Sequence, residues 1–292
     1  MKAIRWIICA FAVTALCHCG FRVAIYSGLA ADSNSAAGIT QLLERRGYRP
    51  TALLNGNLRD SALDGIDMLC FPSGIPERFF TVLQGEQYDI IRDYVRAGGG
   101  LMLVGGSSFL LAHRVGAIQA ASLRRYRAAA RSGAGGTGAN GVEINLTNKS
   151  HPVSRHSPGS YSGTSITADH YFFFDEVPGA TFLGSYADTG DTAILAFQYG
   201  EGRVFAMAKQ PEEAGSGPES ELMARAADWI LERPRLSYLK RKLRAVARAS
   251  RVESAGPQSD RPRAVRAGLG HLLLQKINGI LIRACSFHGQ LP

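Results

Sequence analysis

The 292 residues are 46% hydrophobic and 20% charged, which supplies a sizeable core and excludes a disordered chain. The net charge of +9 belongs to one end: residues 233–292 hold 13 Lys/Arg against Glu253 and Asp260, net +11, leaving residues 1–232 at −2. That distribution argues against nucleic acid as the partner of the folded part. The five cysteines (Cys9, Cys17, Cys19, Cys70, Cys285) form no CxxC pair and no zinc-type spacing. Neither a metal, a disulfide framework nor a cofactor is expected.

Lys2 and Arg5 precede an apolar run, Trp6 to Cys17. This matches the charged and hydrophobic regions of a secretory signal and is short for a spanning helix of roughly 20 residues. Residues 1–19 read as a signal peptide or membrane anchor, which places the protein outside the cytoplasm or on a membrane. The competing reading is an N-terminal strand or a misassigned start codon, which leaves the chain cytoplasmic.

From residue 21 the elements alternate. Phe21 to Ser27 is a β-branched apolar run ending at Gly28, the pattern of a buried parallel strand. Asp32-Ser-Asn-Ser35 can cap a helix over Ala36–Arg46 that ends at Gly47, or offer amides to an anion. Tyr48–Leu54 and Ile66–Phe71 are strands. Glu86–Ala97 is a helix with Tyr88, Ile91, Tyr94 and Val95 as its stripe, stopped by Gly98-Gly-Gly100. Leu101–Val104 is a strand, and a helix is expected from Phe109 to about Val115. Ala117–Asn140 reads as a short helix followed by a flexible loop, with Gly133–Gly138 lacking the Lys-Ser/Thr of a phosphate loop. Strands resume at Val142–Leu146, Thr181–Tyr186, Thr192–Tyr199 and Arg203–Ala208, the last two joined by a hairpin turn at Tyr199-Gly-Glu-Gly202. Glu219–Glu232 closes the domain as a helix, ended by Pro234. Beyond it lie a basic segment over Leu236–Val246 and an apolar one over Gly268–Cys285, an extension suited to an anionic membrane surface.

This alternation predicts a doubly wound α/β domain over residues 21–232, with a mainly parallel sheet and helices on both faces. Such sheets bind ligands at the carboxyl ends of their strands. The loops Ser27–Ser35, Pro72–Pro76 and Gly105–Ser108 are therefore the ones to follow.

Several segments together resemble one family. Val23-Ala-Ile-Tyr-Ser-Gly28, Phe71-Pro-Ser-Gly74, Ile91-Arg-Asp-Tyr-Val-Arg-Ala-Gly-Gly-Gly100, Gln198-Tyr-Gly-Glu-Gly-Arg-Val204 and Gln210-Pro-Glu212 look like the biotin-protein ligase N-terminal domain family. That family sits in the class I glutamine amidotransferase-like superfamily, whose sheet is flavodoxin-like. The resemblance implies a strand-to-helix elbow bearing a cysteine, activated by a histidine that a glutamate orients. Laid on this chain, Gly105 falls on the cysteine, Gln210 on the histidine and Glu212 on the glutamate. A glycine is no nucleophile, and a glutamine side chain accepts no proton at neutral pH. The pattern is that of a pseudoenzyme.

The chain offers stand-ins: Ser107 or Ser108 as nucleophile, with His113, His151, His156 or His170, the last in a loop before the late strands, as base. Ser73 and Gly74 lie where the resemblance implies oxyanion-hole amides. With Gly105, Gly106 and Glu212 they form the expected ligand site, suited to a small carboxylate or amide. Three functions stay open at this point: a non-catalytic binding or scaffolding domain, a hydrolase or acyl-transfer enzyme built on Ser107, and a membrane-surface protein acting through residues 235–292.

Overall fold

Three short apolar strands set the frame. The strands β1 (Arg22–Tyr26), β3 (Met68–Phe71) and β4 (Gly100–Val104) are almost wholly buried. Continuous apolar runs of this kind are stable only when both faces of the sheet are covered. The computed structural model describes residues 21–232 apart from 84, 113–117, 119–121, 128–141, 164–169, 188 and 209–217. The readings made of residues 1–19 and 234–292, and of His113, Gln210 and Glu212, lie outside the described residues. The chain divides into two units, Met1–Arg233 and Pro234–Pro292, and every described residue belongs to the first. No helix among the described residues is long and apolar enough to cross a membrane.

The remaining strands are β2 (Arg49–Leu53), β5 (Ser122–Arg127), β6 (Val142–Leu146), β7 (Ser160–Gly163), β8 (His170–Glu176), β9 (Thr181–Tyr186), β10 (Thr192–Tyr199) and β11 (Gly202–Met207). The sheet runs β2-β1-β3-β4-β11-β10-β9-β6-β7, with β8 pairing both β10 and β5. Its first five strands are all parallel. Counting β11 as the fifth, they have the flavodoxin-like order, with the topological switch point between β1 and β3. From β11 onward the sheet continues antiparallel, starting with the hairpin at Tyr199–Gly202 that the sequence announces.

Among the described residues four α-helices accompany this sheet: α1 (Ser33–Arg45), α2 (Pro76–Val82), α3 (Glu86–Arg96) and α4 (Pro218–Leu231). The Asp32 carboxylate caps α1 by accepting from the Ser35 amide at 2.9 Å. Ile39, Leu42 and Leu43 of α1 are buried, as are Ile90, Ile91, Tyr94 and Val95 of α3. Each large aliphatic side chain so buried contributes about 1.5–3 kcal/mol. α4 is clasped to the end of α1 by Asp228, which accepts from Arg46 Nε at 3.0 Å and from the Tyr48 hydroxyl at 2.6 Å. Burial first, and this bond second, push the Tyr48 phenol well above its ordinary range.

Three sequence expectations are corrected. Ala117–Asn140 contains β5, where a short helix was expected. The pairing of Arg124, Arg125 and Tyr126 with Phe173, Phe172 and Tyr171 makes the segment a sheet ribbon. Its arginines obscure the strand pattern when read without the partner strand. His170 lies in β8, not in a loop, for the same reason. The segment after β4 is a 3-10 turn, Gly105–Leu111, in place of a helix starting at Phe109. Its seven residues tighten because Ser107 turns its hydroxyl back onto the end of β4, and a 3-10 geometry accommodates that fold-back over a short run.

Candidate functional site

The three loops chosen from the sequence meet at the carboxyl edge of β1, β3 and β4, and they meet backbone to backbone. Asp32 donates its amide to the Ser73 carbonyl at 2.7 Å, and Ala31 bridges Gly74 in a one-residue antiparallel contact. The Ser73 amide donates to Ser35 Oγ at 2.8 Å, with both serines fully buried. The Gly106 amide reaches Ser73 Oγ at 3.3 Å. A methyl group on Gly74 would lie 2.0 Å from the Ala30 carbonyl oxygen, and one on Gly106 would lie 1.9 Å from the Gly74 carbonyl oxygen. The glycines are therefore what allow loops 27–35, 72–76 and 105–111 to close on one another. The switch-point crevice between β1 and β3 is sutured by the chain itself.

Gly105 opens the turn with φ +56°, the left-handed conformation. That backbone costs a non-glycine residue about 1–2 kcal/mol, so the sharp elbow is present and glycine adopts it without strain. Two residues on, Ser107 is 0% exposed. Its Oγ accepts from the Val104 amide at 2.9 Å and lies 2.8 Å from the Phe71 carbonyl and 2.9 Å from the Val104 carbonyl, to either of which it can donate. Ser108, also 0% exposed, donates to the Met207 carbonyl at 3.1 Å. Both hydroxyls tie the turn to the strands beneath it. Among the described residues, their partners are backbone groups.

Of the other predicted residues, the structure brings Ser73, Gly74, Gly105 and Gly106 into this one seam. His170, the first residue of β8, pairs in register with Arg127 of β5. His151 is in the β6–β7 loop, with its ring against Trp229 of α4 at 5.0 Å, and His156 is exposed on that loop. Neither of these two joins the seam by a described hydrogen bond. Among the described residues no cluster of His, Cys, Asp or Glu could hold a metal ion.

Sequence reasoning passed over two parts of this edge. Tyr26, at the end of β1, donates to Asn55 Oδ1 beside Gly28. Burial holds its phenol up at about 12, partly offset by a hydrogen bond with the Ala30 backbone. Its ring lies 5.0 Å from Phe71 and 5.9 Å from Phe79, an aromatic floor beneath the loops. Above that floor Leu29, Leu54 and Ile75 are 77%, 53% and 43% exposed, one on each loop after β1, β2 and β3. The outer rim of the edge is apolar, while its loops are tied to one another by backbone and hydroxyl groups.

No protein-family model matches the chain, and no curated protein does. Solved structures do. A ThuA-like protein from Bacteroides uniformis is 13% identical with a TM-score of 0.54, over 75% of this chain and 95% of that one. PurLQS from Thermotoga maritima is 12% identical with a TM-score of 0.52, over 72% and 99%. A glutamine amidotransferase from Thermotoga maritima is 10% identical with a TM-score of 0.51, over 74% and 100%. The chain has the class I glutamine amidotransferase-like fold. At these identities the likeness extends to the fold alone, and function has to be argued from the site. Within the amidotransferase-like fold of this chain, the edge that the sequence marks as the site presents filled backbone contacts and a glycine elbow.

Proposed function

We propose that the chain is a degenerate, non-catalytic amidotransferase-like domain that acts in ligand binding or scaffolding. The observation that supports this best is Gly105. Its φ of +56° keeps the backbone of a nucleophile elbow, but the position offers no atom to attack a carbonyl. Gln210, at the position of the activating base, reinforces the reading. Ser107 is a poor replacement, since its hydroxyl is fully buried and committed to Val104 and Phe71. The finer likeness to the biotin-protein ligase N-terminal domain family rests on the sequence segments that carry it. A small carboxylate or amide over Gly74, Gly105 and Glu212 is the ligand this reading names. It has to meet the apolar rim or part the seam, because the Gly106 amide is already taken by Ser73. Export, and contact of residues 235–292 with an anionic membrane, belong to the same proposal on the strength of composition and charge.

The test is chemical trapping on the full chain, read by intact mass. Neither an electrophilic glutamine analogue nor a fluorophosphonate is expected to add to the wild-type protein. Gly105→Cys is expected to gain no glutaminase turnover, because Gln210 cannot take the thiol proton. A fluorophosphonate adduct that disappears in Ser107→Ala would make the protein a hydrolase-type enzyme.

A further inference from the structure

The β6–β7 loop, residues 147–159, folds back from the far edge of the sheet onto α4. Arg225 of α4 holds it there, donating from Nε to the Val153 carbonyl at 3.0 Å and from Nη2 to Ser157 Oγ. Lys149 donates to the Ser157 carbonyl at 2.8 Å and to the Pro158 carbonyl at 2.6 Å, which closes the loop on itself. Within it the amides of Ser154 and Arg155 both donate to the His151 carbonyl at 3.0 Å.

The imidazole of His151 is the pin. It sits edge-on to Trp229 with ring centroids 5.0 Å apart, and its Nδ1 accepts from the Val153 amide at 3.3 Å. An accepting Nδ1 carries no proton, so the docked loop requires the neutral ring. The Arg203 guanidinium of β11 lies over the same indole, 5.0 Å from the ring centroid. Arg203 also donates to the Trp229 and Glu232 carbonyls at the end of α4. The charged groups facing the imidazole are thus Arg203 from β11 and Arg155 from its own loop, with Arg225 from α4 and Lys149 gripping the same loop. The acids beside these cations are Glu232, whose field acts on Arg203, and Glu221, 3.9 Å from Arg225 Nη1.

We propose that the Asn148–Pro158 loop is an acid-released latch, in which protonation of His151 undocks it from α4 and uncovers Trp229 between Arg203 and Arg225. Protonation removes the acceptor for the Val153 amide and places a third cation beside two arginines in a half-buried site. Burial, then Arg203, then Arg155 hold the imidazole below its ordinary value, which is about 6.5. A group depressed in the docked state binds more protons when released. Docking is therefore at full strength above about pH 6.5 and weakens as pH falls below it.

Amide hydrogen exchange on the full chain at pH 7.5 and 5.5, expressed as protection factors, tests this. The amides of Ser154, Arg155 and Ser157 are expected to lose protection severalfold at the lower pH, up to the ceiling of about tenfold set by a released imidazole titrating near 6.5, while Leu103 in β4 stays unchanged. In His151→Asn, whose amide oxygen can accept from Val153 and cannot titrate, the acid effect is expected to vanish. Equal protection at both pH values in the wild type would overturn the latch, as would an acid loss that persists in His151→Asn. So would an NMR titration of the wild-type protein placing His151 at or above its ordinary value, a measurement that does not depend on the variant folding.

Discussion

Gly106→Ala is expected to cost about 3 kcal/mol or more, the upper range for forcing an extra carbon into a packed interior. The new methyl would sit 1.9 Å from the Gly74 carbonyl oxygen, with Pro76 Cδ at 3.1 Å on another side. Backbone cannot swing away as the end of a flexible side chain can. Relief would require loop 72–76 to withdraw, and that loop is fixed in turn by Asp32, Ala31 and Ser35. Gly47→Ala is the control. Gly47 has a left-handed φ, +87°, and open space around it, so the variant should lose only about 1–2 kcal/mol of backbone strain. Urea unfolding of both variants checks the difference. A Gly106→Ala protein as stable as Gly47→Ala would mean that the three loops are not packed against one another.

Ser107→Ala is the second large effect. Removing Oγ leaves the Val104 amide without its partner in a site closed to water, and takes a donor from the Phe71 and Val104 carbonyls. A buried donor left unmade costs about 1–3 kcal/mol, and a loss near the top of that range is expected here because the hydroxyl serves two strands at once. Ser108→Ala removes a single donation to the Met207 carbonyl and should cost about 1 kcal/mol. The order of the two losses in thermal unfolding is diagnostic. A catalytic Ser107 would behave differently: its alanine variant would hold or gain stability while losing a reactivity.

How far the fold was legible depends on which strand is considered. The parallel block could be read because β1, β3 and β4 are uninterrupted apolar runs ended by Gly28, Pro72 and Gly105, and such runs have few other solutions. β5 could not, because Ser-Leu-Arg-Arg-Tyr-Arg satisfies no alternation by itself. Its strand character comes from β8, about 50 residues away in sequence, across an intervening hairpin. The same limit applies to direction: nothing within β9 or β6 states that they run antiparallel, whereas the Tyr199–Gly202 turn states it for β10 and β11.

The meeting of the three loops was legible in the sequence, and the contacts that tie them together were not. The rule that ligands gather beyond strand ends pointed to Ser73, Gly74, Gly105 and Gly106, and these residues do converge. Whether the crevice between them is open depends on contacts such as Ser35 Oγ with the Ser73 amide, 38 residues apart. A helix-capping segment read alone announces only its cap. Gly106 reads from sequence as part of an expected ligand site; the structure gives it a close approach to Gly74, which needs the three-dimensional neighbour.

The central claim is that this edge is closed by the chain's own backbone and hydroxyls. Hydrogen exchange of the Asp32, Ser73 and Gly106 amides tests it most directly, since all three donate across the seam. If the seam is a permanent part of the core, these amides will exchange only through global unfolding, as slowly as Leu103 at the centre of β4. Exchange orders of magnitude faster than Leu103 would contradict the account, because it would mean that the loops part readily and expose a cleft at the elbow.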